Sequence, residues 1–439
     1  MVRAPALIQG SMMWEDTEES TSYPNLWVCS ERSPRVFRIA HQIFESKVKG
    51  SSMRRDLINS RNPALRPLLV GLTMILMAMA IAACGGGGDS TDSTAGASTQ
   101  ASESETTDAA AIIKEVTARP TKIAVTEPID KPVPKNMKIA YIEVGSPTSK
   151  EVRAQVEEAG KLFDWSVFSV TPTAGTTAAY VAAMENALRQ NPDAIMYQSL
   201  PSASFASQLA KAKEAGIPVI ETATTEEANS VPGLTATVFG NNFLLKNAYA
   251  QGQLMGALVE PGSKVGELNA QFIPLGPIVS STEKGVLSSC PTCEFSNLEI
   301  AVTQLSKSQS LAVNYLRREG CEGVLVPSWF LWRGLESGVK SAGITTEIKA
   351  VSGGLESEGG LEKLANGEEL MAGGSLFPTI EQGWYLVDAA ARYFVGLPTT
   401  ASEAPADPWI VTKETAPAEP EPAVKDFRQQ FEKLWSGAH

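Results

Sequence analysis

Short β-branched runs alternate with amphipathic stretches through the middle of the chain. Residues 137–144 form a largely apolar run that predicts a buried strand, and residues 149–162 after it have apolar positions at helical spacing. Strands that alternate with helices of about 10 to 15 residues are typical of a parallel, doubly wound sheet. The pattern therefore predicts an α/β fold. Further strands are predicted at 165–170, 194–198 and 217–222, with helices at 178–190 and 204–215.

The same alternation restarts in the second half of the chain. It follows a strand at 235–240 and a long helix at 242–259. Two similar α/β halves predict two lobes, and ligands of such sheets lie beyond the carboxyl ends of the strands. The strands of the second half are predicted at 264–270, 295–304, 323–328, 348–353 and 370–376.

A different pattern precedes the predicted lobes. Residues 67–84 form an apolar run that ends in a cysteine and is preceded by four arginines. A basic stretch, a short apolar stretch and small residues are the layout of a secretory signal. The motif Ile81-Ala82-Ala83-Cys84 resembles the lipobox of bacterial lipoproteins, and this resemblance implies lipidation of Cys84. A transmembrane helix is the alternative, but the run is shorter than the span of about 20 residues that a helix needs.

We divide the residues outside the predicted lobes into four segments. We interpret residues 1–52 as a disordered extension or a mis-assigned start, and residues 53–83 as the lipoprotein signal peptide. Residues 84–135 are predicted to be a flexible linker, because their Gly, Ser, Thr and Pro content leaves little apolar surface to bury. Residues 415–439 are predicted to be a C-terminal tail.

Charge and histidine content exclude several function classes. The net charge is −12, which argues against nucleic-acid binding because that binding depends on clustered Lys and Arg. The only two histidines are His41 and His439, and both lie outside the predicted lobes. A Ser-His-Asp triad or a histidine-ligated metal has no histidine to use there. We therefore expect no enzyme activity, no metal and no cofactor.

Three cysteines follow the predicted signal peptide and linker. Cys290-Pro291-Thr292-Cys293 has the spacing of a redox or metal motif. A thioredoxin-like cysteine lies at a helix N-terminus, whereas this motif follows a predicted helix and precedes a strand. A structural disulfide between Cys290 and Cys293 suits an exported protein. Cys321 is then buried and free, or takes one of those two cysteines as its partner.

The order of elements over residues 135–414 resembles the type 1 periplasmic binding proteins of ABC importers, particularly their sugar-binding group. The resemblance rests on Lys138-Ile139-Ala140-Tyr141-Ile142, on the Ala-Gly-Ile-Pro-Val-Ile run at 215–220, on Ser-Ala-Gly at 341–343 and on Pro-Thr-Ile-Glu-Gln-Gly at 378–383. It implies two doubly wound parallel-sheet lobes joined by a three-stranded hinge. Lactose-repressor-like regulators share this fold, but they need a helix-turn-helix before it.

The resemblance also implies lobe boundaries. The first lobe is expected at 136–240 plus 373–400, and the second at 241–372 plus 407–414. Gly240, Gly373 and Gly374 fall at the first two crossings and are predicted hinge residues, because glycine accommodates large φ/ψ changes. Close packing or a turn is the alternative reason for each glycine.

The ligand contacts of the sugar-binding group are only partly present. Those relatives carry an Asn-Pro-aromatic motif after the first strand and an Asp-Arg pair after the fourth. This chain has Gly145-Ser146-Pro147 and Glu221-Thr222-Ala223 at the matching places. A pentose or hexose bound in the usual manner is therefore not expected.

Polar and aromatic residues at predicted strand ends are the candidate ligand contacts. Trp329 is the predicted aromatic platform, whereas Phe330 and Trp332 are interpreted as helix core. The candidates are Ser146, Thr148, Gln198, Thr222 and Thr224 in the first lobe, and Asn269, Gln271, Phe272, Ser328, Trp329, Glu356 and Phe377 in the second lobe or at its edge.

The resulting hypothesis is an exported, lipid-anchored solute-binding protein, on the outer face of the cell membrane or in the periplasm. It captures a small molecule between its lobes and delivers it to the permease of an ABC importer. We expect a monomer and a sugar-like or other polar or aromatic ligand. A nucleoside or signalling-molecule receptor and a non-transport surface lipoprotein are the alternatives.

Overall fold

The computed structural model describes residues 109–200, 202–226, 230–271, 276–357, 359–367 and 370–438. The predictions for 1–52, for the signal peptide 53–83, for Cys84 and for Phe272 lie outside these residues. No helix within the described part of the chain is both long and apolar enough to cross a membrane.

The first lobe is built on a sheet of five parallel strands. Apolar residues of the central strands, such as Ile139 and Met196, are fully buried because helices cover both faces. The strand order is β2-β1-β3-β4-β5, with β1 at Lys138–Ile142, β2 at Ser166–Val170, β3 at Ala194–Gln198, β4 at Val219–Thr222 and β5 at Ala236–Val238.

Local signals determine where the first-lobe helices begin. The side chain of Ser146 accepts a hydrogen bond from the Ser149 amide at 3.1 Å, and Pro147 occupies the first turn, where its missing N–H is not needed. Thr176 caps the next helix in the same manner through the Ala179 amide. The helices are α1 at Pro147–Gly160, α2 at Thr177–Arg189 and α3 at Ala206–Glu214.

The second lobe is built on a sheet of six strands. All pairs are parallel except the pair of β10 and the edge strand β11, which is antiparallel. The strand order is β11-β10-β9-β8-β6-β7, with β6 at Lys264–Gln271, β7 at Glu294–Ala301, β8 at Gly323–Val326, β9 at Lys349–Gly353, β10 at Met371–Leu376 and β11 at Trp409–Thr412.

Two helices of the second lobe pack very closely. A Cβ atom on Gly252 of the first helix would lie 2.2 Å from the Thr282 carbonyl oxygen of the second, so only glycine allows this approach. The helices of this lobe are α4 at Asn241–Leu258, α5 at Gly276–Ser289, α6 at Ser308–Glu319, α7 at Leu335–Ser341 and α8 at Gly360–Asn366.

After β10 the chain returns to the first lobe. Helix α9 at Thr379–Phe394 packs against α1, with Gly383 close to the backbone of Val156. The chain crosses again between α9 and β11. Connections between the lobes therefore follow β5, β10 and α9.

The predicted hinge role of Gly373 and Gly374 is wrong. Both residues lie inside β10, paired with β9 and β11, so the crossing follows Leu376 and the returning first-lobe segment begins at about 377 instead of 373. A Cβ on Gly374 would lie 2.0 Å from the Ser352 carbonyl oxygen, which shows that close packing requires this glycine.

Gly240 lies at the first crossing, between β5 and α4. Its φ of −78° is open to any residue, whereas a Cβ would lie 2.5 Å from Thr237 Cγ2. The left-handed turn at this crossing is made by Phe239, with φ of +49°. Close packing therefore accounts for the glycine, and its hinge role stays a prediction.

The described residues of the predicted linker and of the predicted tail contradict the sequence predictions. Residues 109–116 of the predicted linker are helical, and Ile129 within it is completely buried. The predicted tail contains helix α10 at Phe427–Leu434, and its Phe427 and Phe431 are also completely buried. These segments are ordered because their spaced apolar residues pack into the lobes. Ile129, Phe427 and Phe431 lie in the core of the first lobe, whereas Ile113 packs against the second lobe.

Cys290 and Cys293 are joined by a disulfide between α5 and β7. Cys321 is buried as a free thiol, and burial raises its pKa to about 11. A thiol with a raised pKa is less reactive because the thiolate is the nucleophile. The described residues contain no group of three or more His, Cys, Asp or Glu that could hold a metal ion.

Candidate ligand-binding cleft

The carboxyl ends of β3 and β4 bring Gln198 and Thr222 together. Gln198 Nε2 donates to Gln382 Oε1 at 3.1 Å, and Thr222 Oγ1 donates to the same oxygen at 3.2 Å. All three side chains are at most 6% exposed. Sequence reasoning missed Gln382, which lies in the first turns of α9, just after the second crossing. Its Nε2 is buried with no hydrogen-bond partner among the described residues.

Three neighbouring strands of the first lobe end in the same backbone conformation. Ser199 after β3, Ala223 after β4 and Phe239 after β5 have φ of +55°, +58° and +49°. Residues other than glycine rarely adopt this left-handed region, and such strain is retained where the surrounding structure imposes it. Ser199 Oγ donates to the Ala223 carbonyl oxygen at 3.0 Å, which links two of these turns.

The other first-lobe candidates lie in nearby turns. Ser146 is the N-cap of α1, and its hydroxyl is 3.0 Å from that of Thr148. Both residues are half-buried. Thr224 is 8% exposed and its hydroxyl accepts from the Glu226 amide at 3.3 Å. These hydroxyl groups therefore also stabilise their own turns.

Strand β6 carries polar residues both in the buried interior of the second lobe and at its exposed carboxyl end. Asn269 is 3% exposed, and Gln271 at the strand end is exposed. Glu267, which sequence reasoning missed, is buried and accepts from Thr282 Oγ1 at 3.2 Å. Burial raises the pKa of Glu267 to about 7, and the neighbouring Asn269 side chain opposes that rise.

The aromatic segment after β8 is mainly a packing element. Trp329 is 7% exposed, stacks on Trp332 with ring centroids 6.2 Å apart, and lines with it a cavity of about 200 Å³ formed by second-lobe residues. Ser328 before it is half-buried. The core interpretation of Phe330 is wrong, because this side chain is 37% exposed. Replacing Trp329 by alanine would remove core packing, at a cost of about 3 to 5 kcal/mol.

Glu356 and Phe377 lie at the carboxyl ends of β9 and β10. The Phe377 amide donates to Glu356 Oε2 at 2.9 Å, and burial raises the pKa of Glu356 to about 7. The Phe377 ring packs edge-to-face against Phe243 of α4 at 5.3 Å. Phe377 therefore joins the two lobes at the second crossing.

The arrangement is that of two parallel-sheet lobes whose candidate polar residues gather at strand carboxyl ends, which defines a two-lobed binding-protein fold. The profile of the periplasmic binding protein domain matches residues 133–398, more than half of the sequence, and the chain belongs to this family. It has the type 1 fold of that family and is a solute-binding protein, not an enzyme. Family membership implies an extracytoplasmic location. No curated protein sequence matches the chain.

Solved structures show the same fold at low sequence identity. A periplasmic solute-binding protein from Actinobacillus succinogenes with bound D-allose has a TM-score of 0.52 and 18% identity, over 64% of this chain and 98% of that chain. A glucose-galactose binding protein from Geobacillus stearothermophilus has 0.53 and 13%, over 64% and 98%. A solute-binding protein from Burkholderia graminis in complex with D-arabinose has 0.53 and 16%, over 65% and 99%.

Proposed function

We propose that this protein is the solute-binding component of an ABC importer and that it captures a small polar molecule between its two lobes. The family match over residues 133–398 carries the proposal. Relatives with the same fold were solved with D-allose and D-arabinose, which supports a hydroxyl-rich ligand. A permease of the importer is the proposed partner, and the binding protein acts as a monomer.

The first lobe offers hydroxyl and amide groups to such a ligand. Gln198, Thr222 and Thr224 follow or end strands on one edge of the sheet, and Gln382 brings a further amide to the same place. The second lobe contributes Asn269, Gln271, Ser328 and Glu356, together with the aromatic faces of Trp329 and Phe377. Ligand pockets of this kind combine apolar walls with a few placed polar groups.

Closure follows from the position of the ligand between two lobes. A ligand that contacts both lobes only in the closed form favours that form by its differential affinity. The permease then recognises the closed form. Small-angle scattering should show compaction on saturation of the wild-type protein with its ligand.

Titration calorimetry with D-allose, D-arabinose, D-glucose, D-galactose and nucleosides tests the proposed site. Thr222→Val retains the shape of the side chain but removes its hydroxyl, so affinity for the sugar or nucleoside that binds should fall about tenfold. Thr173→Val, on an exposed loop of the same lobe, is the matched control. An unchanged affinity of Thr222→Val would place the ligand elsewhere, and no binding across the panel would exclude these two ligand classes.

Anchoring through a lipid on Cys84 is part of the proposal. It is supported by the basic and apolar stretches before Ile81-Ala82-Ala83-Cys84. Two or more acyl chains attach a protein stably to a membrane. Cys84→Ala should therefore shift the protein from the membrane fraction to the soluble fraction when cells are fractionated. Full retention of the variant in the membrane would contradict lipid anchoring at this residue.

A further inference from the structure

The N-terminal segment connects the two lobes outside the region matched by the family profile, which begins at residue 133. Ile113 and Val116 of the helix at 109–116 pack against the second-lobe cluster that contains Leu254. Ile123 and Ile129 then enter the core of the first lobe. The chain therefore crosses between the lobes at about residues 117–122.

The C-terminal segment makes the reverse connection. After β11 in the second lobe, Ala416 and Ala423 pack against the core of that lobe. Val424 and the buried face of α10 lie in the core of the first lobe. These two terminal segments add a fourth and a fifth connection to those that follow β5, β10 and α9.

Arg119 joins the two terminal connections to each other. Its guanidinium donates to the carbonyl oxygens of Ala423 at 2.9 Å and Pro422 at 2.6 Å, and to the Glu421 carboxylate at 2.5 Å. The same group lies over the ring of Trp409, 4.1 Å from its centroid. Trp409 is the first residue of β11 and is 2% exposed. Arg119 thus holds both connections against the edge strand of the second lobe.

Glu381 joins the C-terminal connection to the crossing after β10. This residue lies in the first turn of α9, and its Oε1 accepts from the Val424 amide at 2.7 Å. The two terminal segments also pair inside the first lobe, where the Ile129 and Val133 amides donate to the Leu434 and Ala438 carbonyl oxygens, each at 2.8 Å. The two terminal segments are therefore bonded to one another both at the crossing and inside the first lobe.

We propose that residues 117–122 and 421–424, linked by Arg119 and Glu381, form a hinge clamp that restricts how far the lobes move relative to one another. Hinge motion requires a few residues that absorb φ/ψ changes. Because the two terminal connections are bonded to each other and to β11, fewer of their backbone dihedral angles can rotate independently. A large movement of one lobe relative to the other must also break charge-assisted hydrogen bonds. The clamp rests on the lobe motion of the proposed function but does not depend on which ligand is bound.

Single-molecule energy transfer on the ligand-free full chain tests the clamp. Dyes attached through keto-bearing amino acids at Thr173 and Gln304 report the distance between the exposed loop after β2 and the exposed 3-10 helix after β7, one on each lobe. Arg119→Ala should raise the fraction of molecules outside the wild-type distance range about tenfold, since several charge-assisted bonds are lost. Glu421→Ala removes one of these bonds and should give a smaller increase.

Arg428→Ala is the matched control. Arg428 also pairs with a carboxylate, Glu158 at 2.7 Å, and lies over the Phe427 ring, but all these partners belong to the first lobe. It should leave the distance distribution unchanged. Equal distributions for Arg119→Ala, Glu421→Ala and Arg428→Ala would overturn the clamp.

If near-UV circular dichroism shows that Arg119→Ala does not fold, the partly exposed Glu421 position decides the outcome. Because no ligand is added, failure of the solute-binding proposal would not change this readout.

Discussion

At the scale of single residues, the least expected feature is a buried carboxyl group beside the candidate cleft. Glu221 of β4 lies directly opposite Tyr197 of β3 and Thr237 of β5. It accepts hydrogen bonds from the Ser202 hydroxyl and, at 3.1 Å, from Thr237 Oγ1. Burial raises the pKa of Glu221 to about 8, the hydroxyl of Ser202 opposes this rise, and the nearby Glu226 adds to it.

This pKa predicts a specific dependence of stability on pH. The pKa in the folded state is above that in the unfolded state, so between about pH 4.5 and 8 the folded protein binds a proton that the unfolded chain has lost. The contribution of Glu221 is thus complete at low pH and is lost as the pH rises toward 8. Glu221→Gln cannot titrate. As the pH rises, the free energy of unfolding of this variant should fall less steeply than that of the wild type. The two slopes should differ by up to about 1.4 kcal/mol per pH unit.

Urea unfolding at intervals from pH 5 to pH 9 measures this difference. Glu432→Gln, on the exposed side of α10, is the control and should follow the wild-type curve. Parallel curves for the wild type and Glu221→Gln would show that Glu221 has a similar pKa in the folded and unfolded states. Buried carboxyl groups remote from Glu221 affect both proteins equally, so the comparison isolates Glu221 and its interaction with Glu226.

The sequence predicted only some of the residues that form the candidate site. Gln198 and Thr222 were identified because they end short apolar runs that predict strands, and a strand end is visible in local sequence. Gln382 is 160 residues from its partner Thr222. Its position depends on where α9 packs, and no local pattern encodes that contact. The ligand-platform role of Trp329 stays a prediction, and its stacking on Trp332 depends on packing that the sequence does not show.

At the scale of elements, the fold class was predicted correctly from periodicity. The strand predicted at 137–144 is β1 at Lys138–Ile142, and the helix predicted at 178–190 is α2 at Thr177–Arg189. Parallel α/β folds are predictable in this way because their central strands are continuous apolar runs. The strand at 370–376 was also predicted, yet its glycines were assigned to a crossing. The β9 backbone lies close to Gly374 and the β11 backbone lies close to Gly373, and this packing becomes visible only once the strands are paired.

Helix α10 shows where local patterns were misjudged. Phe427 and Phe431 are four residues apart and Trp435 follows at the same interval, which is an apolar stripe at helical spacing. The Pro-rich stretch before α10 nevertheless favoured the prediction of a C-terminal tail. Its partners, including Trp384, come from α9, about 40 residues earlier in the chain. A short stripe without a visible partner does not distinguish a docked helix from a tail.

At the scale of the whole molecule, the first lobe is completed by residues 123–133 and 424–438. Trp435 is fully buried, stacks on Trp384 with ring centroids 5.3 Å apart, and donates from Nε1 to Asp388 Oδ1 at 2.7 Å. Asp388 also pairs with the buried Arg392 at 2.7 Å. The C-terminal residues therefore satisfy a buried charge as well as filling the core, and a buried charge that loses a partner is strongly destabilising.

Trp435→Ala should consequently lower the free energy of unfolding by about 3 to 5 kcal/mol, the usual cost of removing a buried large aromatic side chain. Lys433→Ala, on the exposed side of the same helix, should change it little. A chain that stops after Ala423 retains the Glu421 carboxylate that pairs with Arg119 but loses α10, so it should lose the near-UV signal of a packed first lobe. Thermal unfolding followed by circular dichroism measures all three proteins. If the shortened chain and Trp435→Ala both melted with the wild type, the C-terminal segment would be a dispensable tail, and the first lobe would be complete without it.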